Sequence, residues 1–224
     1  MRTIKSYVKR KGRITDGQNQ AINKLWPRYG IDYSSKSLDF SLIFENNNPV
    51  HLEIGFGDGE SLITQAASNP NKNYIGIEVH DPGIGRCLMN IEKYGLTNIK
   101  LSSHDAIEVI NDQINTDTIE RVNLYFPDPW PKKKHHKRRI VQPTFLDMIG
   151  NRLKEGGTFN IATDWAAYAE QIDEVFSHSD HFICSERREH NGELPFMRPR
   201  TKFENRGLKK GHRIWDWCFK KSNA

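Results

Sequence analysis

One stretch, residues 126–140, constrains this chain more than any other: it reads FPDPWPKKKHHKRRI. The run before it, RVNLYF at residues 121–126, has strand-forming residues and stops at Pro127, which donates no ladder hydrogen bond and restricts the residue preceding it. Asp128 therefore belongs on a rigid turn at the C-terminal end of a strand, the edge at which open α/β sheets bind ligands. Behind it, residues 132–139 hold six Lys or Arg and two His. A carboxylate, the Trp130 indole and a dense positive patch thus converge on one cleft. That suits an enzyme acting on a base within a phosphate-bearing polymer. The plainer alternative is a turn-capping Asp128 beside a solvated, charged loop.

The rest of the composition narrows the setting. A chain of 224 residues can bury one full core. Its mean hydropathy of −0.72 and lack of a long apolar run argue against a membrane span. The N-terminus is basic but has no apolar core of a signal peptide. Cys87, Cys184 and Cys218 are odd in number and lack metal-ligand spacing, which fits a reducing cytoplasm. The net charge of +5 is modest, but it is clustered. Arg2, Lys5, Lys9, Arg10, Lys11 and Arg13 form an acid-free N-terminal arm. A third cluster, Arg198, Arg200, Lys202, Arg206, Lys209, Lys210 and Arg213, lies near the C-terminus. Three basic segments set against a remainder that is net acidic predict a polyanionic partner with steeply salt-dependent affinity.

Taken in order, residues 1–35 read as a basic arm, extended or partly helical, with Trp26-Pro27 breaking any helix, and residues 36–224 as one α/β domain. Residues 50–54 are a short buried strand, followed by Gly55-Phe-Gly57-Asp-Gly59 and a helical pattern over residues 60–67. These glycines allow a sharp strand-to-helix turn and close approach of backbone N–H groups to a ligand. A dinucleotide fingerprint wants Gly or Ala where Glu60 stands. The compact Gly-x-Gly-x-Gly form after Glu53 instead resembles the S-adenosylmethionine loop of class I methyltransferases. A second strand, residues 73–78, ends in Glu78 about 20 residues later, where such folds place a carboxylate on ribose hydroxyls. Residues 98–102 form a third strand; after it, Asp105 either accepts from an adenine amino group or caps the helix starting at Ala106. Residues 143–153 read as a helix stopped by Gly156-Gly157. A strand over residues 158–163 ends at Asp164, which either caps the next helix or faces substrate. Two last strands, residues 182–187 and 214–219, flank a loop too long to be filler. Trp215 and Trp217 alternate at strand spacing as core.

The ordered set LEIGFGDG, IGIEVH, HDA, FPDPWPKKKHHKRR, ATDW and TKFE resembles the bacterial tRNA (guanine-N7-)-methyltransferase family, from about residue 50 to the C-terminus. The glycine loop is generic; FPDPW, ATDW and TKFE together are specific. The resemblance implies a Rossmann-like class I S-adenosylmethionine-dependent methyltransferase fold, a seven-stranded, mostly parallel sheet with helices on both faces. It also implies methylation of the variable-loop guanosine of tRNA, with S-adenosyl-L-homocysteine as the other product. Carried over by position, Glu53, Gly55, Gly57, Gly59, Glu78, Asp105, Ala106 and Asp128 would hold the cofactor, Asp128 also being the catalytic residue. Lys132, Asp164, Thr201, Lys202, Phe203 and Glu204 match substrate-binding positions. Lys134, His135, His136, Lys137, Arg138 and Arg139 match the RNA-contacting segment.

Guanine N7 carries a free in-plane lone pair, so attack on a methyl group needs orientation more than a strong base. Asp128 and Asp164 are placed to hold the guanine N1–H and N2–H edge, and Trp130 or Trp165 is the candidate stacking surface for an unstacked base, with a core role as the alternative. Competing readings are methylation of an exocyclic amine, whose motif places Pro differently around the acid, and a silent RNA-binding subunit, against which the intact loop and carboxylates speak. No metal is expected, since adjacent His135 and His136 do not share a face. No obligatory protein partner is evident, and monomer and homodimer stay open.

Overall fold

The computed structural model describes residues 5–7, 12–193 and 198–222. Arg2, Lys9, Arg10 and Lys11 of the basic arm, and Pro195 of the long loop, lie outside the described residues.

Strands β2 (Val50–Ile54) and β3 (Asn73–Ile77) are buried along their whole length, as central parallel strands must be when helices cover both faces. Alternation sends Tyr74 to one layer and Ile75 and Ile77 to the other. The first layer is α1 (Asp16–Tyr29), α3 (Glu60–Ser68) and α4 (Asp81–Tyr94). The second is α5 (Ala106–Gln113), α6 (Pro143–Arg152) and α7 (Ala166–Ser177), with Phe44 of the short α2 (Phe40–Phe44) at its margin.

The remaining strands are β1 (Gly30–Ile31), β4 (Ile99–Ser102), β5 (Ile119–Tyr125), β6 (Leu153–Thr163), β7 (Phe182–His190) and β8 (Ile214–Lys221). They order as β1-β4-β3-β2-β5-β6-β8-β7, parallel up to β6 and antiparallel at β8 and β7. After β2 the chain winds first toward β4 and then, from β5, in the opposite direction, which opens a crevice between the ends of β2 and β5.

Three expectations are corrected. The sheet has eight strands, not seven: Gly30 and Ile31 pair with Leu101 and Ser102, a strand too short to carry an alternating pattern. Trp26-Pro27 does not break α1. Pro27 sits in its last turn, Ala21, Leu25 and Tyr29 pack on α4, and Thr15 with Gln18 forms a capping box at the start. So residues 16–31 contribute a helix and an edge strand to the domain. The glycine pair does not stop α6, which ends at Arg152; Gly156, at φ +70°, lies inside β6 where the register with β5 shifts. Trp217 is core, with Trp215 packed beside it. No helix among the described residues is long and apolar enough to cross a membrane.

Candidate active site

Glu53, Glu78, Asp105, Asp128 and Asp164 stand at or just beyond the C-terminal ends of the parallel strands, whereas Glu204 lies on a helix. At the end of β2, Gly55, Gly57 and Gly59 all take positive φ, and the backbone turns into α3 with Gly59 as its N-cap. Helix α4 approaches so closely that a Cβ on Gly83 would lie 2.1 Å from the Gly57 carbonyl oxygen. Glu78, just past β3, accepts from the N–H of Gly57 (2.9 Å), Val79 (2.7 Å) and His80 (3.1 Å). Burial pushes its pKa up, and those three donors pull it back. The carboxylate is thereby locked against the glycine loop.

Asp128 is exposed, on a turn whose neighbours are fixed. Phe126, at φ 53°, donates its N–H to the Ala162 carbonyl at 2.8 Å, extending the β5–β6 pairing past the strand. Trp130 also has a positive φ, 43°. Its indole is neither core nor bare: Nε1 donates to the Ser6 carbonyl at 3.0 Å, and the Arg138 guanidinium lies 4.1 Å above the ring. A cavity of about 380 Å³ runs from Glu78, His80 and Ala106 past Gly55 and Gly57 to Asp128.

Several of the remaining candidates are placed differently from one another. Glu53 is buried behind the loop, accepting from Ser61 and Gln65 at 3.2 Å, and burial pushes its pKa up to about 8. It lines a smaller neighbouring pocket with Asp58 and Lys202. Asp105 is the N-cap of α5, one carboxylate oxygen accepting from Ile107 N–H at 3.0 Å, while the other lies 3.7 Å from Lys5 Nζ. Asp164 does not cap α7, whose N-cap is Trp165. Its carboxylate is held by His212 Nδ1 at 3.0 Å and packed on Gly207 of α8 (Lys202–Lys209). Because β5 and β6 are neighbours, Asp128 and Asp164 follow adjacent strand ends. Trp165 is partly buried against the core and meets His212 edge-on.

The basic run forms a 3-10 helix, Lys133–Arg138, with Lys132 as its N-cap. Lys132, Lys134 and Lys137 are exposed, and His135, His136 and Arg138 half-buried. Desolvation and the surrounding cations Lys134, Arg138, Lys132 and Lys137 hold the His135 pKa below its usual value. Arg139 departs from the expected RNA-facing role. It is 2% exposed, and its guanidinium donates to the carbonyls of Pro129 (2.8 Å) and Ala167 (2.9 Å) and to Gln171 Oε1 (2.7 Å). It fixes the Asp128 turn from behind.

The expected substrate set TKFE divides in two. Thr201 and Glu204 form a capping box, with Glu204 fully buried, whereas Lys202 and Phe203 are exposed. The spacing Thr-x-x-Glu ahead of a helical stretch carries that signal in the sequence. Arg198, grouped by sequence with the C-terminal basic cluster, is instead buried and bonded to Glu204 and Asp216, and His212 carries no signal in the sequence; only the fold brings the two to the site. Among the described residues no group of three His, Cys, Asp or Glu is placed to hold a metal ion.

A family model described as "Putative methyltransferase" matches residues 47–217. A tRNA (guanine-N(7)-)-methyltransferase of Pseudoalteromonas translucida is 48% identical over 99% of this chain and 92% of its own length. That of Aeromonas hydrophila is 47% identical over all of this chain and 94% of its own. The chain belongs to the tRNA (guanine-N(7)-)-methyltransferase family. Solved structures share the fold of this family member at lower identity. An antibiotic-related methyltransferase gives a TM-score of 0.63 at 20% identity, covering 84% of this chain and 98% of that one. The 16S rRNA methyltransferase KamB gives 0.58 at 15% identity, covering 99% and 100%. N-methyltransferase NodS of Bradyrhizobium japonicum, in complex with S-adenosyl-L-homocysteine, gives 0.54 at 15% identity, covering 78% and 79%.

The cleft suits S-adenosylmethionine on its own geometry. Gly55 and Gly57, both at positive φ, line it without side chains, and Glu78 is pinned with its carboxylate at the end opposite Asp128. Its volume of about 380 Å³ falls within the usual range for small-ligand pockets.

Proposed function

We propose that this chain methylates N7 of the variable-loop guanosine of tRNA, forming 7-methylguanosine and S-adenosyl-L-homocysteine. The observation that carries the reading is the position of Asp128: it ends the cleft on a turn with prolines on both sides of it, and the exposed cations of the 3-10 helix follow it directly.

In this reading Gly55, Gly57, Glu78, Asp105 and Ala106 hold the cofactor, Glu78 through its ribose hydroxyls. Bound S-adenosylmethionine supplies an electrophilic methyl group. As the N7–carbon bond forms and the carbon–sulfur bond breaks, the electron pair stays on sulfur and the positive charge moves to the guanine ring. No proton leaves N7. Asp128 and Asp164 therefore act by orienting the base and offsetting its developing charge. Lys132, Lys134, His135, His136, Lys137 and Arg138 bind the RNA backbone, and the basic residues ahead of α1, Arg2 to Arg13, add contacts to the same polyanion. The free Cys87, Cys184 and Cys218 fit a cytoplasmic enzyme.

Incubation of the purified chain with S-adenosylmethionine and unmodified tRNA transcripts, followed by nucleoside mass spectrometry, tests this. The expected product is 7-methylguanosine, absent from a transcript whose variable-loop guanosine is replaced. A methylated exocyclic amine, or no methylation despite binding of both ligands, would overturn it.

A further inference from the structure

Phe203 stands half-exposed on the cleft, and its surroundings hold it there. Its ring lies at van der Waals distance, 3.5 Å, from where a Cβ on Gly57 would be. It borders both the main cleft, with Gly57, Phe126 and Asp128, and the smaller pocket that contains Glu53, Asp58 and Lys202. The next side chain along, Lys202, reaches across the glycine loop to Asp58 at 3.4 Å.

Beneath this exposed pair lies a buried brace. Thr201 Oγ1 accepts from Glu204 N–H at 3.2 Å, and Glu204 Oε2 accepts from Arg198 Nη1 at 2.7 Å. Arg198 in turn donates through Nε to Asp216 Oδ1 of β8 at 2.6 Å, and its guanidinium lies over the rings of Tyr125 (5.4 Å) and Phe126 (5.1 Å). Buried ion pairs contribute little stability compared with apolar packing of the same volume. What this one does is fix geometry, tying the first turn of α8 to the end of β5 and to β8.

We propose that Phe203 is a cofactor-contacting residue whose ring closes the cleft over the sulfonium end of S-adenosylmethionine, and that the Arg198–Glu204 pair positions it. This rests on the reading of the cleft as the cofactor site. The methyl group must be delivered beside Asp128, so the sulfonium lies at the end of the cleft that Phe203 borders. A cation over an aromatic face is attracted by the ring quadrupole, more strongly than a neutral thioether is drawn to the ring. Phe203 therefore favours the methylated cofactor over the product.

Calorimetric titration of the full chain with S-adenosylmethionine and S-adenosyl-L-homocysteine, without RNA, tests the proposal. Phe203→Ala is expected to weaken S-adenosylmethionine binding about tenfold through lost apolar cover and cation contact. Phe203→Leu keeps most of the bulk and loses the ring, so it is expected to weaken S-adenosylmethionine about threefold and S-adenosyl-L-homocysteine distinctly less. tRNA affinity by filter binding stays at the wild-type value in both. If Phe203→Ala binds S-adenosylmethionine as wild type does, or loses tRNA affinity instead, the proposal is overturned. Equal losses for both cofactor forms in Phe203→Leu would overturn the sulfonium placement. Glu78→Ala separates the two layers: if it retains S-adenosylmethionine, the cleft itself has been misread; if it loses it while Phe203→Ala does not, only the present inference fails.

Discussion

His212 Nδ1 lies 3.0 Å from Asp164 Oδ2, and that contact, with Gly207 packed against the same carboxylate, fixes an acid at the end of β6. A hydrogen bond to a charged acceptor contributes about 1.5–3 kcal/mol. His212→Ala should therefore reduce kcat/KM for tRNA at least about tenfold, with S-adenosylmethionine affinity intact. His212→Asn, whose amide nitrogen can take the Nδ1 position, should recover most of the loss. Steady-state kinetics on the two variants decide it: equal defects in both would mean the ring matters for packing on Trp165 instead.

The exposed lysines of the 3-10 helix should act through charge alone. Removing two of them, Lys134→Ala with Lys137→Ala, is expected to lower tRNA affinity and to reduce the slope of log K against log salt by about 1.5. Thermal stability should not move. Binding isotherms at several salt concentrations read this out, and an unchanged slope would remove the pair from the RNA interface.

Arg139 predicts the reverse pattern. Truncation leaves the Pro129 and Ala167 carbonyls without their buried donor, so Arg139→Ala should lose about 2–3 kcal/mol in urea denaturation. Arg139→Lys should not restore it, since an ammonium cannot span the three partners of a planar guanidinium. If Arg139→Ala unfolds at the wild-type urea concentration but binds tRNA poorly, the arginine faces RNA in the working enzyme.

Glu53 gives stability a pH dependence of definite sign. Its folded pKa, about 8, lies above the ordinary 4.5, so between those values the native state binds more protons than the unfolded chain. Stability from this group falls as pH rises through that window and levels off above it. Glu53→Gln should become progressively more stable relative to wild type between about pH 5 and pH 8. The difference between the two chains cancels His51, whose pKa, lowered to about 4 chiefly by burial, works in the opposite sense below its ordinary value. Urea midpoints at several pH values would show the divergence; a constant gap would mean Glu53 is ionised in the folded chain.

The parts legible from sequence are those where local chemistry and position coincide. Val50–Ile54 and Asn73–Ile77 read correctly because fully buried parallel strands are short apolar runs bounded by turns. Pro127 marked the end of β5 because a proline cannot extend a ladder. By contrast, nothing in KKKHHKRR says which cation turns inward. Arg139 is buried because the acceptors on Pro129, Ala167 and Gln171 converge there, a fact of tertiary structure. Pro27 misled in the other direction: packing of Leu25 and Tyr29 on α4 carries the helix past it. Thr201 and Glu204 match substrate-binding positions by resemblance, yet their spacing also spells a capping box, which the helix adopts.

Strand β8 is the last element in chain order, yet it sits between β6 and β7. In synthesis order both β6 and β7 precede β8, so neither has that neighbour until β8 has been made. Asp216 travels on that strand, so the anchor for Arg198, and through it the first turn of α8, arrives with it. A nascent chain can build the glycine loop and the Asp128 turn early, but it completes the cofactor end of the cleft in the same event that closes the sheet. Chain order thus places the anchor of α8 after every other part of the cleft.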